Sequence, residues 1–176
     1  MLIAITGYSG CGKDTVADYL VKYHGFTKKT FAEPLKKAVQ LLFDFSDHQV
    51  YGTQEDKMQV DPRWCVTPRG MMQWLGTDII RNQFDPDFWV KHFEFTFKHD
   101  ALIVVSDLRF MNEASLIHKL GGLIVRLHRH DNHDEHQSET ELDYIIPDMI
   151  INNNQSVDDL YQHVDAIINR HHKKVV

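Results

Sequence analysis

Apolar residues recur along the chain in two rhythms. Short unbroken runs at Leu2–Ile5, Ala101–Val105, Leu123–Val125 and Met149–Ile151 read as strands, the first buried and the second as in the middle of a parallel sheet. Between them the apolar positions step by three and four, as on one side of a helix. Val16, Ala17, Leu20 and Val21 mark a helix from about Lys13 to His24, closed by Gly25, a residue suited to the left-handed position after a helix end. Leu35, Ala38, Val39, Leu42 and Phe43 mark a second helix from Pro34 to about Phe45. Ser46 with Gln49 forms a capping box before a short helix that Gly52 ends. Residues 53–66 read as a loop. Thr67-Pro68 opens a helix to about Asn82, and Asp85-Pro86 opens another to about Lys98. Phe88, Trp89, Phe93, Phe95 and Phe97 sit at helical spacing and are expected in a core. Asn112–Leu120 is a short helix, and Ser156 with Asp159 starts the last one, with Val157, Leu160, Val164, Ile167 and Ile168 inside. Phe26–Phe31 is a further strand, and the fourth extends from Leu123 to His128.

The resulting order, β-α-β-(four helices)-β-α-β-β-α, predicts an α/β fold: a five-stranded, mostly parallel sheet with helices on both faces. The whole chain, 1–176, is expected to be a single domain. About 70 residues, from 32 to 100, separate the second and third strands, too many for a plain crossover. They read as a helical insert standing over the sheet edge where ligands bind. Residues 129–144 are polar and read as a lid-like loop.

Composition changes this picture little. The 176 residues are 43 % hydrophobic and 25 % charged, ordinary values for a folded globular chain. No run approaches the ~20 apolar residues of a membrane span. The start carries neither a basic leader nor a cleavage site, so no signal peptide is expected. Two cysteines, Cys11 and Cys65, are too few for a disulfide framework, and a reducing, cytoplasmic compartment is the simplest reading. Charge is more informative. The net value is −6, and residues 131–165 hold Asp131, Asp134, Glu135, Glu139, Glu141, Asp143, Asp148, Asp158, Asp159 and Asp165 with no Lys or Arg. A solvated acidic face explains that run, and it disfavours a DNA or RNA polymer as partner.

The strongest chemical signal is Gly7-Tyr8-Ser9-Gly10-Cys11-Gly12-Lys13, a G-x-x-x-x-G-K loop between a predicted strand and a predicted helix. Glycines let backbone N–H groups turn inward around phosphate oxygens, and the helix start adds positive potential. Lys13 then reaches the β- and γ-phosphates. The usual Ser or Thr after the lysine, which binds Mg²⁺, is replaced by Asp14, with Thr15 next. Asp14 either enters the metal shell, with Thr15 donating to the α-phosphate, or only favours the helix start. Cys11 is expected to fill space.

Asp107 follows the third strand, where an acidic residue sits beside Mg²⁺ in many such sites; the alternative is a helix cap or surface turn. Arg109 points toward the same crevice and suits bidentate phosphate binding. Lys13, Asp107 and Arg109 are the candidate catalytic residues. Arg69, Gln73, Trp74 and Arg81 offer two cations, an amide and an aromatic plane, which suit a nucleotide's phosphate, base edge and base face, against a surface helix as the alternative; for Trp74 a place in the core is the commoner fate. Arg126 and Arg129 bracket the start of the polar loop, and one of them could act as a lid cation. His128, His130, His133 and His136 have the spacing of a metal site, but no rigid element is predicted beneath them and zinc is not expected. His171-His172-Lys173-Lys174 reads as a frayed tail.

Together these residues resemble the phage and large-virus type deoxynucleoside monophosphate kinases, a branch of the P-loop kinases. The matching stretches are Gly7–Leu20 (GYSGCGKDTVADYL), Phe31–Lys36 (FAEPLK), Thr67–Arg81 (TPRGMMQWLGTDIIR), Asp85–Lys91 (DPDFWVK), Val105–Glu113 (VSDLRFMNE) and Ser138–Leu142 (SETEL). The resemblance implies transfer of the ATP γ-phosphate to a deoxynucleoside 5′-monophosphate, with Mg²⁺, on a five-stranded parallel core whose insert binds the acceptor. ATP would be held by Gly7, Ser9, Gly10, Cys11, Gly12, Lys13, Asp14, Thr15 and Arg129, and the metal by Asp14 and Asp107. The SETEL stretch falls in the lid region, which carries few arginines beside those of adenylate kinases. Two other readings stay open: a P-loop kinase acting on a small-molecule alcohol, as dephospho-coenzyme A kinases do, and a non-kinase nucleotide switch. The sequence also leaves oligomeric state open, a homodimer included.

Overall fold

A computed structural model describes residues 1–99, 101–129 and 141–172. Most of the expected lid-like loop, part of the SETEL stretch, His130, His133, His136 and the tail from Lys173 lie outside the described residues. The chain divides into two compact units: Met1–Thr30 with Lys98–Val176, and Phe31–Phe97.

The first unit holds the sheet: β1 (Leu2–Thr6), β2 (Thr27–Lys29), β3 (Ile103–Val105), β4 (Leu123–His128) and β5 (Met149–Asn152), in the spatial order β2-β3-β1-β4-β5. Every pairing is parallel, with Ala4 opposite Val105 and Ile124, and Arg126 opposite Ile150. The central strand β1 is buried throughout. Alternate residues face opposite ways on a strand. Ile3, Ile5, Val104, Val125, Leu127 and Ile151 therefore share one face and pack with Val16, Ala17 and Leu20 of α1 (Lys13–His24) and with Leu160, Val164, Ile167 and Ile168 of the last helix, Val157–His172. On the other face Ile117 of the helix Met111–Lys119 lies over Leu2; a methyl group on Gly122 would press on both side chains.

The second unit is helical. It comprises α2 (Glu33–Phe43), α3 (Asp47–Tyr51), α4 (Gln54–Met58), α5 (Pro68–Gln73), a π-helical stretch over Trp74–Phe84, and α6 (Phe88–Thr96). Numbered onward, Met111–Lys119 is α7 and Val157–His172 is α8, eight α-helices among the described residues. Leu35, Val39, Phe45, Val50 and Trp89 form the core of this unit.

Several expectations need correction. Residues 53–66 are not a plain loop: Thr53 caps α4 through a reciprocal box with Asp56, and Asp61 pairs with Val66 in an isolated antiparallel bridge. The helix expected over 67–82 starts as foreseen, with the Gly70 N–H donating to Thr67 Oγ1 at 3.0 Å, but widens after Gln73 and ends with the Asp85 N–H on the Ile80 carbonyl, five residues back. That wider turn changes which residues share a face. Trp74, at its start, is 47 % exposed and not in a core, whereas Arg81 is only 7 % exposed. Phe95, 88 % exposed, leaves the expected aromatic core because it stands two residues from the buried Phe93, on the other side of α6. Val21 and Leu42 are also exposed, at the margin and the end of their stripes, as is Val157 at the start of α8. The second strand shrinks from six residues to Thr27–Lys29, and the polar loop ends in a 3₁₀ turn over Glu141–Tyr144.

Candidate active site

The site begins where β1 ends. Residues 7–12 leave the carboxyl edge of the central strand, and α1 starts at Lys13. Two glycines in this turn take conformations that L side chains rarely adopt, and at the first a backbone contact forbids a side chain as well. Gly7, at φ 137°, passes so close to the Leu127 carbonyl and the Cys11 sulfur that no side chain fits. Gly12, at φ 103°, sits against Asn153, whose Nδ2 would lie 2.7 Å from an added Cβ. Such positive φ values place successive N–H groups on one concave side, the arrangement that receives a phosphate.

Lys13 is buried and its ammonium curls back over the loop, donating to the carbonyls of Gly7 at 2.6 Å and Tyr8 at 2.8 Å. Cys11 is buried, as a space-filling residue would be, with its sulfur 3.9 Å from Lys13 Nζ. Ser9 and Thr15 are half-buried and Gly10 is exposed. Asp14 is largely exposed and pairs with Lys28 at 2.9 Å, and Lys28 also reaches Asp18 at 2.9 Å. Burial works to lower the Lys28 pKa, but the hydrogen bonds and charge of Asp18 and Asp14 outweigh it, so the pKa is raised.

Asp107 and Arg109 come to the same edge just after β3, the strand beside β1. Both are half-buried and flank Leu108, which is fully buried. The backbone of Arg109 and Phe110 is held by Glu113 of α7: its carboxylate, on a residue 3 % exposed, accepts their N–H groups at 3.0 Å and 3.2 Å. Arg129 follows β4 and is exposed. Arg126 is engaged differently: its Nη2 donates to the carbonyls of Leu142 and, at 2.6 Å, Ile145, fastening the 3₁₀ turn to β4. The Tyr8 hydroxyl donates to Asp143 of that turn at 2.6 Å.

The first unit thus brings Gly7, Ser9, Gly10, Cys11, Gly12, Lys13, Asp14, Thr15, Asp107, Arg109 and Arg129 to one edge of one sheet. Arg69, Gln73, Trp74 and Arg81 belong to the second unit. There Arg69 Nη1 donates to Gln54 at 3.0 Å, and Arg81 Nη1 donates to the Pro86 carbonyl at 3.1 Å. Sequence reasoning missed Tyr8, Glu113 and Asn153. Glu113 had a trace, standing three residues after Phe110 at a helix start. Asn153 had none, because it meets the loop across 142 residues of chain.

Two carboxylates at the edge, Asp14 and Asp107, are hard oxygen donors suited to Mg²⁺, which takes one or two of them together with substrate phosphates. Among the described residues no group of three or more His, Cys, Asp or Glu side chains converges as a metal cage. The closely packed glycine cradle fits a polyphosphate. No helix among the described residues is long and apolar enough to cross a membrane.

Comparison with known proteins agrees with this geometry. The family model for deoxynucleotide monophosphate kinase matches residues 44–164. A protein of Acanthamoeba polyphaga mimivirus, provisionally named a deoxynucleotide monophosphate kinase, is 38 % identical over 96 % of this chain and 96 % of its own length. The deoxynucleotide monophosphate kinase of Escherichia phage RB69 is 28 % identical over 62 % of this chain, and the match spans 47 % of that protein. Among solved structures, dephospho-CoA kinase from Campylobacter jejuni superposes with a TM-score of 0.57 at 15 % identity, over 99 % of this chain and 98 % of that one, a likeness of fold. The five-stranded parallel sheet, the glycine loop after its central strand and the match over residues 44–164 lead to one assignment: the chain belongs to the deoxynucleotide monophosphate kinase family.

Proposed function

We propose that the chain transfers the γ-phosphate of ATP to a deoxynucleoside 5′-monophosphate, giving ADP and the deoxynucleoside diphosphate. The observation that carries the donor half is the loop at the end of β1, with its glycine-only contacts and the buried Lys13 ammonium. In the transfer an oxygen of the acceptor's phosphate forms a bond to the γ-phosphorus while the bond between that phosphorus and the β–γ bridging oxygen breaks. The acceptor's second pKa is about 6, so at neutral pH it is largely a dianion and needs no strong general base. Asp107 is therefore not assigned as one.

The chain's own task is then positioning and charge neutralisation. The N–H groups of residues 7–13 and the start of α1 hold the donor's β-phosphate. Lys13 exchanges the Gly7 and Tyr8 carbonyls for phosphate oxygens. Asp14 and Asp107 would hold Mg²⁺, which supplies charge neutralisation at the β- and γ-phosphates when bound. Arg109 grips the transferring group, Thr15 donates to the α-phosphate, and Arg129 caps the donor. In the second unit Arg69 and Arg81 bind the acceptor phosphate, Gln73 its base edge and Trp74 its base face; the 47 % exposure of Trp74 leaves ring surface for stacking.

A panel of acceptors with γ-labelled ATP tests the proposal. Label on dTMP, dGMP or a modified dCMP is expected. Label on an alcohol such as dephospho-coenzyme A, with none on any monophosphate, would move the chain to another acceptor class. ATP turnover that ignores every acceptor would make it a nucleotide switch.

A further inference from the structure

Asn153 stands directly after β5, and three contacts converge on it. Its backbone N–H donates to the His128 carbonyl at 2.8 Å, continuing the β4–β5 pairing by one residue and fixing its place. Its side-chain Nδ2 donates to the Cys11 carbonyl at 2.9 Å. The same amide fills the space that a side chain on residue 12 would need, 2.7 Å from the position of an added Cβ, with Leu160 of α8 at 3.9 Å from it. The loop and this side chain are therefore fitted to each other: glycine at 12 admits the amide, and the amide takes the carbonyl of 11.

A trans peptide group points its C=O and N–H in opposite directions. Holding the Cys11 carbonyl toward Asn153 directs the Gly12 N–H the other way. The Gly12 carbonyl already receives the Val16 N–H at 3.1 Å, in the first turn of α1. The Gly12 peptide is thus constrained on both sides, and its N–H is one of the donors at the helix start that an anion would meet.

We propose that Asn153 is a positioning residue for the donor nucleotide: its amide anchors the Cys11 carbonyl and so aims the Gly12 N–H at a phosphate of ATP. The inference rests on the reading of residues 7–13 as the ATP cradle. It requires an amide at this position. A carboxylate offers no donor to the Cys11 carbonyl, and it adds a negative charge behind a site for a polyanion. An alanine removes the donor without adding charge.

The test compares wild type, Asn153→Asp and Asn153→Ala in the full chain, by calorimetric titration with Mg·ATP and by steady-state kinetics with both substrates varied. For N153A the ATP KM should rise about tenfold, the loss expected of one hydrogen bond to a charged ligand. N153D should lose more than N153A. The acceptor KM should stay within about twofold in both, a split that general damage to the fold would not produce. Equal ATP affinity in wild type and both variants overturns the proposal. Parallel rises in both KM values overturn it, and so does loss of the fold in both variants by ligand-free melting, since that makes Asn153 a stability element. If wild type itself does not bind Mg·ATP, it is the cradle reading that fails.

Discussion

The Lys13 ammonium rests on the Gly7 and Tyr8 carbonyls; in the proposed ATP cradle, phosphate oxygens need only replace these neutral acceptors with charged ones. Lys13→Met should lower kcat/KM by about 10²–10³, the usual cost of removing one preorganised donor to developing charge; steady-state assays would measure it, and a loss under tenfold would place the charge stabilisation elsewhere. The two arginines proposed to hold the acceptor should differ. Arg69 is half-buried and bonded to a side chain, Gln54. Arg69→Ala should raise the acceptor KM about tenfold with the ATP KM unchanged. Arg81 is 7 % exposed and tied to the Pro86 carbonyl, so Arg81→Ala should produce the same split and also lower the melting temperature. The reverse split, on ATP, would move the acceptor pocket away from these residues. At this scale the loop residues were legible because glycines and a lysine at fixed spacing are themselves the chemistry. The supporting contacts of Asn153 and of Tyr8 with Asp143 were not, since each joins positions far apart in the chain.

Among the elements, those with a local signature appeared where their residues predicted. The Ser46–Gln49 box, the Thr67 cap and the Ser156–Asp159 cap all form. The π-helical stretch was hidden, because its apolar positions pass for an ordinary helix; within it the Gly76 carbonyl accepts the Trp89 indole N–H. The segment after α4 was hidden for another reason: it is organised by a buried charge. Asp61, 3 % exposed, accepts Arg63 through its backbone N–H and guanidinium and also accepts the Gln49 amide. The Arg63 hydrogen bonds, with Gln49 adding to them, hold the Asp61 carboxyl far below the usual carboxylate range. A carboxyl depressed on folding contributes stability above its unfolded pKa, near 4, and loses that contribution as pH falls further. Melting of wild type should therefore drop more steeply than that of Asp61→Asn between about pH 4 and pH 2. Parallel slopes would show that Asp61 does not anchor this unit against acid.

The whole chain reads as an α/β fold from its alternation of short apolar runs and helical stripes; the kinase family was legible only in the motifs that carry the resemblance. The spatial order β2-β3-β1-β4-β5 was not readable from that alternation, because the order of elements along the chain does not say which strands pair. Two consequences concern the molecule as a unit. Mg·ATP at about 100 times its dissociation constant should raise the melting temperature by roughly 5–10 °C, from about 2.7 kcal/mol of binding free energy in a chain of this size; no shift would mean that the loop takes no nucleotide. The central claim, that one phosphoryl group passes from ATP to a deoxynucleoside monophosphate, is tested most directly by following ³¹P resonances with Mg²⁺, ATP and the monophosphate present together. The γ signal of ATP should fade while the terminal phosphate signals of ADP and of a deoxynucleoside diphosphate grow in equal amounts. Growth of inorganic phosphate alone, with the monophosphate signal unchanged, would contradict the account.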